Sequence, residues 1–333
     1  DGLNGGYDFG NGANAVNPDD VESMTILKGA AATALYGSRA ASGVVMITTK
    51  TGKKNKGLGI EYNGGLQWST ILRLPEFQNE FGMGWNGDHT ELENGSWGPR
   101  FDGSMQLWGN RYENSQKLKP YSPIKDNIRD FFDAGFRYNN SVSFNGATDR
   151  SEYYVSFSQI SDNGMIPTDA DSYDKYTFSA RGSHKVKALT FSSSLNYSYQ
   201  KNKFATTGQG LTMLNSLYQT PRDISIISLQ NQDDIFNSPG YFYTPYGVMN
   251  PYYILENYLN EYDAERFYGK FQVDYDFLKY FKFTYRMGLD TTTGQSNRGE
   301  PNLYALFYEG TPNGEGMGSN SPFYGKEGSY SQQ

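Results

Sequence analysis

NPDDVESMTILKGAAATALYGSRAASGVVMITTK, running from Asn17 to Lys50, is the stretch whose reading decides the fold. Val21 to Leu27 mixes polar, apolar and β-branched residues, as a strand does. Lys28-Gly29 reads as a turn, since glycine takes positive φ at no steric cost. Ala30 to Tyr36 (AAATALY) is a short run of good helix formers, closed by Gly37 as the residue after the helix. Val44 to Thr49 (VVMITT) is continuously apolar and β-branched, which predicts a strand buried on both faces. A helix of one or two turns is not stable alone in water, so the unit needs surroundings to pack against.

Composition narrows those surroundings. The chain has 333 residues, a formal net charge of −7 and no cysteine, which excludes disulfides and thiolate metal sites and argues against a nucleic-acid partner. No run approaches the apolar length of a transmembrane helix, but that leaves a transmembrane barrel open. The 28 Tyr, 21 Phe and 38 Gly stand on a background only 37% hydrophobic. Such a balance fits an outer-membrane barrel with aromatic girdles and a polar lumen. It fits a secreted carbohydrate-binding β protein as well.

Beyond Thr51–Gly57 (TGKKNKG), a polar basic connector, the period changes to two. Gly59–Trp68, Tyr138–Gly146, Ser151–Ile160, Tyr173–Gly182, Ala188–Gln200, Arg266–Asp276 and Phe281–Asp290 alternate apolar with polar residues. In the fifth, Leu189, Phe191, Leu195, Tyr197 and Tyr199 oppose Thr190, Ser192, Ser194, Asn196 and Ser198. Segments of about ten residues with this alternation are the pattern of transmembrane β-strands. The connections between them run long (69–137), short (147–150), medium (161–172), short (183–187), long (201–263) and short (277–280). Strands crossing a membrane up and down, with long loops on one side, produce that parity. The first strand is therefore expected to run from the periplasm outward.

The opening stretch closely resembles the end of the plug domain in TonB-dependent outer-membrane transporters of the SusC/RagA family. That family's pattern is near N-P-x-D-[IV]-E-S-[IM]-x-[IV]-L-K-x-A-x-A-T-A-x-Y-G-S-R-x-A-x-G-V-[IV]-x-I-T-T-K. Lys28, Tyr36, Gly37, Ser38, Arg39 and Gly43 match it, whereas Gly29 stands where an acidic residue is common and Ser42 where Asn is common. A second stretch, Glu93–Gly103 (ENGSWGPRFDG), is similar to the family's first extracellular loop. Leu214–Ile224 and Asn250–Tyr258 fit more loosely. The resemblance implies a transmembrane antiparallel β-barrel of twenty-two strands in the full protein, about seven of them present here, with an N-terminal α+β plug. Residues 1–55 are then the C-terminal part of the plug. Residues 56–333 are the N-terminal part of the barrel, with long extracellular loops 69–137 and 201–263. Asp1-Gly2 falls inside the family's plug, so the chain is expected to be a fragment that starts mid-domain.

The implied function is TonB-dependent import of a large nutrient, an oligosaccharide or peptide fragment, across the outer membrane of a Gram-negative bacterium. The implied partners are a SusD-like surface lipoprotein acting as a lid, TonB through a segment absent here, and outer-membrane lipid. A scaffold barrel in a larger assembly, a siderophore-type receptor and a secreted carbohydrate-active protein are the alternatives. No catalytic, cofactor or metal motif is present: there is no Gly-x-Ser-x-Gly, P-loop or His–Glu metal signature.

Candidate contacts are aromatic. Trp85, Trp97 and Trp108 are placed to stack on sugar rings or a partner protein, or to pin the first long loop to itself. Tyr241, Phe242, Tyr243 and Tyr246 (in GYFYTPYG), with Tyr252 and Tyr253, form the densest aromatic patch, for substrate or lid contact or for loop packing. Trp68, Tyr197 and Tyr199 are expected to anchor in the interfacial girdle. Asp162, Asp169, Asp171 and Asp174 offer oxygen ligands without the spacing of a Ca²⁺ loop, and read as a solvated acidic loop. His89 and His184 read as surface histidines. Lys28 and Arg39 are candidates for plug-to-barrel charge contacts.

Overall fold

The computed structural model describes residues 16–28, 34, 37–40, 42–54, 59–208, 210–244, 248–278, 280–301, 312–315 and 323–332. Two strands come first, β1 (Val21–Leu27) and β2 (Val44–Thr49), paired antiparallel as a sheet of their own. Asn17 opens the unit: its side chain accepts from the Asp19 amide at 3.1 Å and starts a short 3-10 turn over Pro18–Asp20. Gly37 sits at φ +71°, the conformation its place after the helix demands. Of the expected helix, Ala34 is helical, and Gly29 and Tyr36 lie outside the described residues. The expectation that β2 is buried on both faces fails. Val45 and Met46 are exposed, because β2 pairs only with β1 and meets the rest of the chain at its end.

The remaining long strands make one eight-stranded antiparallel sheet: β3 (Ile60–Ser69), β6 (Gly135–Ala147), β7 (Ser151–Asp162), β8 (Ser172–Val186), β9 (Leu189–Lys203), β10 (Leu259–Phe277), β11 (Phe281–Glu300) and β12 (Phe323–Gln332). Each pairs with its neighbour in sequence, except that β4 (Met105–Tyr112) and β5 (Ser115–Pro120) form a separate hairpin between β3 and β6. All seven expected strands are present. Two departures occur at the end of the chain: β11 runs ten residues further than expected and β12 was not expected at all. The segment Thr291–Glu300 (TTTGQSNRGE) has no apolar member, so alternation cannot reveal it; its partners on β10 and β12 hold it as strand. The sheet is open, with β3 and β12 at its edges. Backbone groups on an edge in lipid lack partners, so this is a section of wall.

Register turns the period-two pattern into two unlike surfaces. One row across the wall reads Tyr62, Val142, Phe157, Phe178, Tyr197 and Phe267, each opposite the next. Its large side chains point outward, and Tyr62, Phe157, Phe178 and Tyr197 are exposed. The adjoining row on the other face reads Ser143, Ser156, Ser179 and Asn196, all buried. A water-soluble sheet would reverse this, hiding the aromatics. Aromatic side chains also gather at both ends of the outer face. Trp68 lies 5.3 Å from Phe136 near the long-loop end, while Tyr275, Phe277 and Phe281 stack at 5.6 and 5.5 Å beside the short turn at 278–280. Apolar rows bounded by two aromatic belts are what a barrel wall presents to lipid. No helix among the described residues is long and apolar enough to cross a membrane.

Candidate functional site

The two long connections, 70–134 and 204–258, fold together at one end of the wall into a lobe with its own core. Met83, Trp108, Ile128 and Phe131 from the first pack with Met213, Leu217, Ile224, Ile226, Leu229, Phe242, Tyr243 and Tyr252 from the second. Ile166 and Ala170, from the connection between β7 and β8, pack against the same cluster. Two short helices supply part of the second loop. The first, α1 (Met213–Gln219), is capped by Thr212, and the second, α2 (Pro251–Asn257), by Asn250. Both follow the rule that a short polar side chain caps the first free amides; Pro251 at the first turn loses no hydrogen bond.

A buried polar clasp joins the loops. Asp223 is fully buried, accepts from the Met83 amide at 2.9 Å and pairs with Lys119 Nζ at 2.7 Å. Its neighbour Arg222 donates through Nε to the Gln78 carbonyl (3.1 Å) and through Nη2 to Asn79 Oδ1 (2.9 Å) and the Ile124 carbonyl (3.2 Å). The Arg222 amide donates to Ser96 Oγ at 3.1 Å. Asn127 bridges in both directions, donating to the Ile224 carbonyl at 2.6 Å and accepting from the Ile226 amide at 2.9 Å. Asn313, from the connection beyond β11, donates to the Pro239 and Phe242 carbonyls, both at 2.9 Å. Side-chain amides suit this work because each offers both donors and an acceptor to irregular backbone.

Burial sets the electrostatics of the clasp. Desolvation pushes the Lys119 ammonium below its ordinary range, and the Asp223 charge opposes that shift. Tyr121, beside them, is pushed up to about 12, by burial first and then by the Asp223 carboxylate. His89 lies edge-on to Tyr121 at 5.4 Å and is half-buried, with its Nε2 lacking a hydrogen bond; burial lowers its pKa. The surface reading of His89 is thus corrected, whereas His184 is exposed and holds Ser151 Oγ at 2.7 Å.

The glycine-rich string around Glu93–Gly103 has a steric origin. A Cβ on Gly84, whose φ is +144°, would stand 2.1 Å from the Asp88 carbonyl oxygen, and one on Gly98 would stand 2.4 Å from the Met83 carbonyl oxygen. Only bare backbone lets these turns nest. Trp97 and Trp85 project from this nest to solvent, 69% and 54% exposed. Trp108 and Tyr243 do the opposite. At 6% and 2% exposure they pack 5.7 Å apart inside the lobe, and Lys117 and the clasp's Lys119 lie over the indole ring at 5.5 and 5.2 Å. Their expected role in substrate or lid contact is corrected to core packing, since neither offers surface. Tyr241 is half-exposed and meets Tyr112 edge-on at 5.2 Å; Tyr246 lies outside the described residues. The contact candidates that reach the surface are therefore Trp85, Trp97 and Tyr241. Beside the clasp, Leu118, Pro120 and Ile124 face Ser225 and Ser228 across a cleft of about 440 Å³.

The acidic stretch serves its own loop. Asp162 accepts from the Gly164 amide, Asp171 from Met165 and Ile166, and Asp174 from Ser161 Oγ. No group of three His, Cys, Asp or Glu side chains among the described residues is arranged around a metal. At the plug, Lys28 is exposed and makes no ion pair among the described residues, and nothing is described of the Arg39 side chain. Ser38 begins a 3-10 turn and Gly43 lies at φ +102°. The contacts with the wall come from residues the sequence reading did not single out: Asp20, Lys50 and Lys54.

Comparison with known proteins agrees with this architecture. Residues 1–44 match the TonB-dependent Receptor Plug Domain family. The chain thus joins a plug-like segment to a wall of outward-aromatic strands, the arrangement of TonB-dependent receptors. It is 27% identical over 281 residues to TonB-dependent receptor SusC of Bacteroides thetaiotaomicron, covering 80% of this chain and 26% of that protein. It is 24% identical over 321 residues to TonB-dependent receptor P3 of Formosa agariphila, covering 94% and 28%. Among solved structures, the RagAB peptide transporter superposes with a TM-score of 0.59 at 17% identity, over 90% of this chain and 35% of that one. The chain is thus similar to TonB-dependent receptors of the SusC and RagA kind, and spans about a quarter to a third of the length of these relatives.

Proposed function

We propose that this chain forms the plug edge, the first wall strands and the mouth loops of an importer that carries glycan or peptide fragments across the outer membrane. TonB would supply the work through a part of the protein outside this chain. A SusD-like lipoprotein would cover the mouth. On this reading the plug ends near residue 55, the barrel begins at 56, and the lobe built from 70–134 and 204–258 is extracellular. The observation that carries the proposal is the wall's two surfaces: aromatic rows toward lipid, small polar rows inward against the plug. A lumen held by a plug does not leak, so solute passes only when the plug moves.

Trp85 and Trp97 support the lid reading, because exposed indoles beside a rigid glycine nest are the anchors that interfaces use. The test is purification of the full-length protein from native outer membranes with growth on defined glycans and peptides. A stoichiometric lipoprotein, together with loss of growth on one such nutrient when the gene is deleted, is the expected result. A full-length protein without lipoprotein, and a deletion strain that grows normally on every nutrient supplied, would overturn it.

A further inference from the structure

The plug meets the wall at one dense cluster. Asp20 is 1% exposed. Its Oδ1 accepts from the Tyr154 hydroxyl on β7 at 2.9 Å, and its Oδ2 faces Arg181 Nη2 on β8 at 3.6 Å. Arg181 lies over the Tyr154 ring at 5.3 Å and reaches the Lys50 carbonyl at 3.4 Å and Asn196 Oδ1 at 3.2 Å. The Lys50 amide in turn donates to the Asp20 carbonyl at 2.8 Å, so the start of β1 and the end of β2 are held by the same group of wall residues. Lys50 pairs with Glu61 on β3 at 3.2 Å, and Lys54 pairs with Asp149 in the turn between β6 and β7. Between those lysines, Gly52 presses on the wall backbone. A Cβ there would stand 2.3 Å from the Gly146 carbonyl oxygen and 2.7 Å from the Tyr153 amide nitrogen.

Separating these surfaces breaks the Tyr154 hydrogen bond to Asp20, the Asp20–Arg181 ion pair, the Arg181 bond to the Lys50 carbonyl and the lysine pairs to Glu61 and Asp149 together, so this edge is held by several linked contacts at once. We propose that Asp20, Arg181 and Tyr154 form a fixed anchor, and that during import this edge of the plug stays on β6–β8 while the plug remodels elsewhere. This deepens the function proposed above and rests on it. It also gives the acidic residue of the N-P-x-D string a task, as the plug's counter-ion to a wall arginine.

Two measurements on the full-length protein in its native cells test the anchor. The first needs no substrate. Asp20→Asn and Arg181→Gln should each make cells several-fold more sensitive to vancomycin, a probe too large for ordinary diffusion through the outer membrane. The charge-exchanged pair Asp20→Arg with Arg181→Asp should recover part of that resistance. Unchanged sensitivity in both single variants at normal protein levels would overturn the proposal. The second uses a chain that has no cysteine of its own. Thr49 on β2 and Ser194 on β9 line one cleft of about 500 Å³, so Thr49→Cys with Ser194→Cys can be bridged by a cleavable thiol cross-linker. Bridged protein that imports at the unbridged rate supports a fixed edge. Import that stops on bridging and returns on cleavage overturns it. If the parent protein imports nothing, the transport reading fails, and the vancomycin measurement still decides whether Asp20 and Arg181 hold the plug.

Discussion

Replacing Asp223 with alanine should unfasten the loop lobe and leave the wall intact. The wild-type carboxylate carries a 2.7 Å ion pair to Lys119 and a 2.9 Å hydrogen bond from the Met83 amide, both buried. Its removal strands an ammonium and an amide in the lobe interior. Breaking a buried pair by removing one partner costs about 3–5 kcal/mol, and the orphaned amide adds about 1–3 that overlaps with it. A net of about 4 kcal/mol corresponds to a roughly thousandfold larger opening equilibrium constant, at about 1.4 kcal/mol per tenfold. Amide hydrogen exchange on the full-length protein in nanodiscs reads this directly, since protection reports local opening free energy. Peptides covering Met83, Asn127 and Ile224–Leu229 should lose about three decades of protection or reach the unprotected limit. Peptides from β7 and β8 should not change. A pH signature accompanies it. Burial already holds Lys119 below its ordinary range, and without Asp223 it falls further. The folded lobe then binds fewer protons than the unfolded loop between the lowered value and the usual lysine value, so protection in the variant should rise with pH through that window. The double variant Lys119→Met with Asp223→Leu removes both charges and should recover most of the loss. Unaltered exchange in the single variant, or equal losses in lobe and wall, would refute the reasoning.

Phe178→Arg, in the middle of the outward row, should cost about 2–4 kcal/mol when folding into lipid vesicles is measured by urea titration, whereas Thr177→Ala on the inner face should cost far less. Gly84→Ala should expose lobe peptides to exchange in the same way as the Asp223 variant, because its Cβ would stand 2.1 Å from the Asp88 oxygen in a backbone conformation L residues avoid. Asp171 has its pKa raised to about 6 by burial, above the 3.8 of an exposed carboxylate, so the folded loop binds more protons than the unfolded one between those values. Its contribution to the 163–171 loop should be fully present below about pH 4 and lost as pH rises through 6, read by exchange at the Met165 and Ile166 amides after correction for intrinsic rates, with Asp171→Asn flat across the window.

The wall was legible because its signal is local. Alternation in Ser151–Ile160 and Ala188–Gln200 needs no knowledge of a partner strand, and register then follows from short turns. Thr291–Glu300 was not, because beyond the lipid-facing zone nothing selects apolar residues at every second position. The lobe was half legible. Its glycine string stood out by spelling, yet the partners of Asp223 and Arg222 lie about a hundred or more positions away, at Met83, Lys119, Gln78 and Asn79. The string LNSLYQTPRDI drew notice as family-like without disclosing that its Arg-Asp pair is the clasp. Asp20 was hidden in the same way, since Tyr154 and Arg181 are brought to it only by the packing of the small sheet against β7 and β8.

Aromatic count misled at single residues because one residue type fills three environments. Tyr197 faces outward from the wall, Tyr154 turns inward to hold the plug through its hydroxyl, and Tyr243 is sealed in the lobe. Their immediate neighbours differ (Asn196 and Ser198 about Tyr197, Tyr153 and Val155 about Tyr154, Phe242 and Thr244 about Tyr243) without sorting the three, so burial is decided by which strand face or loop lies opposite. That arrangement has a mechanical consequence. The lobe clasps loops that leave the wall at β3, β6, β9 and β10 and also packs on the loop between β7 and β8. The plug anchor grips β7 and β8 closer to their short turns, at Tyr154 and Arg181. Strands β7 and β8 are therefore held at both ends, by the lobe at their shared connection and by the plug contact nearer their short turns. On the import reading proposed above, the plug edge that meets β7 and β8 is therefore the part expected to move last.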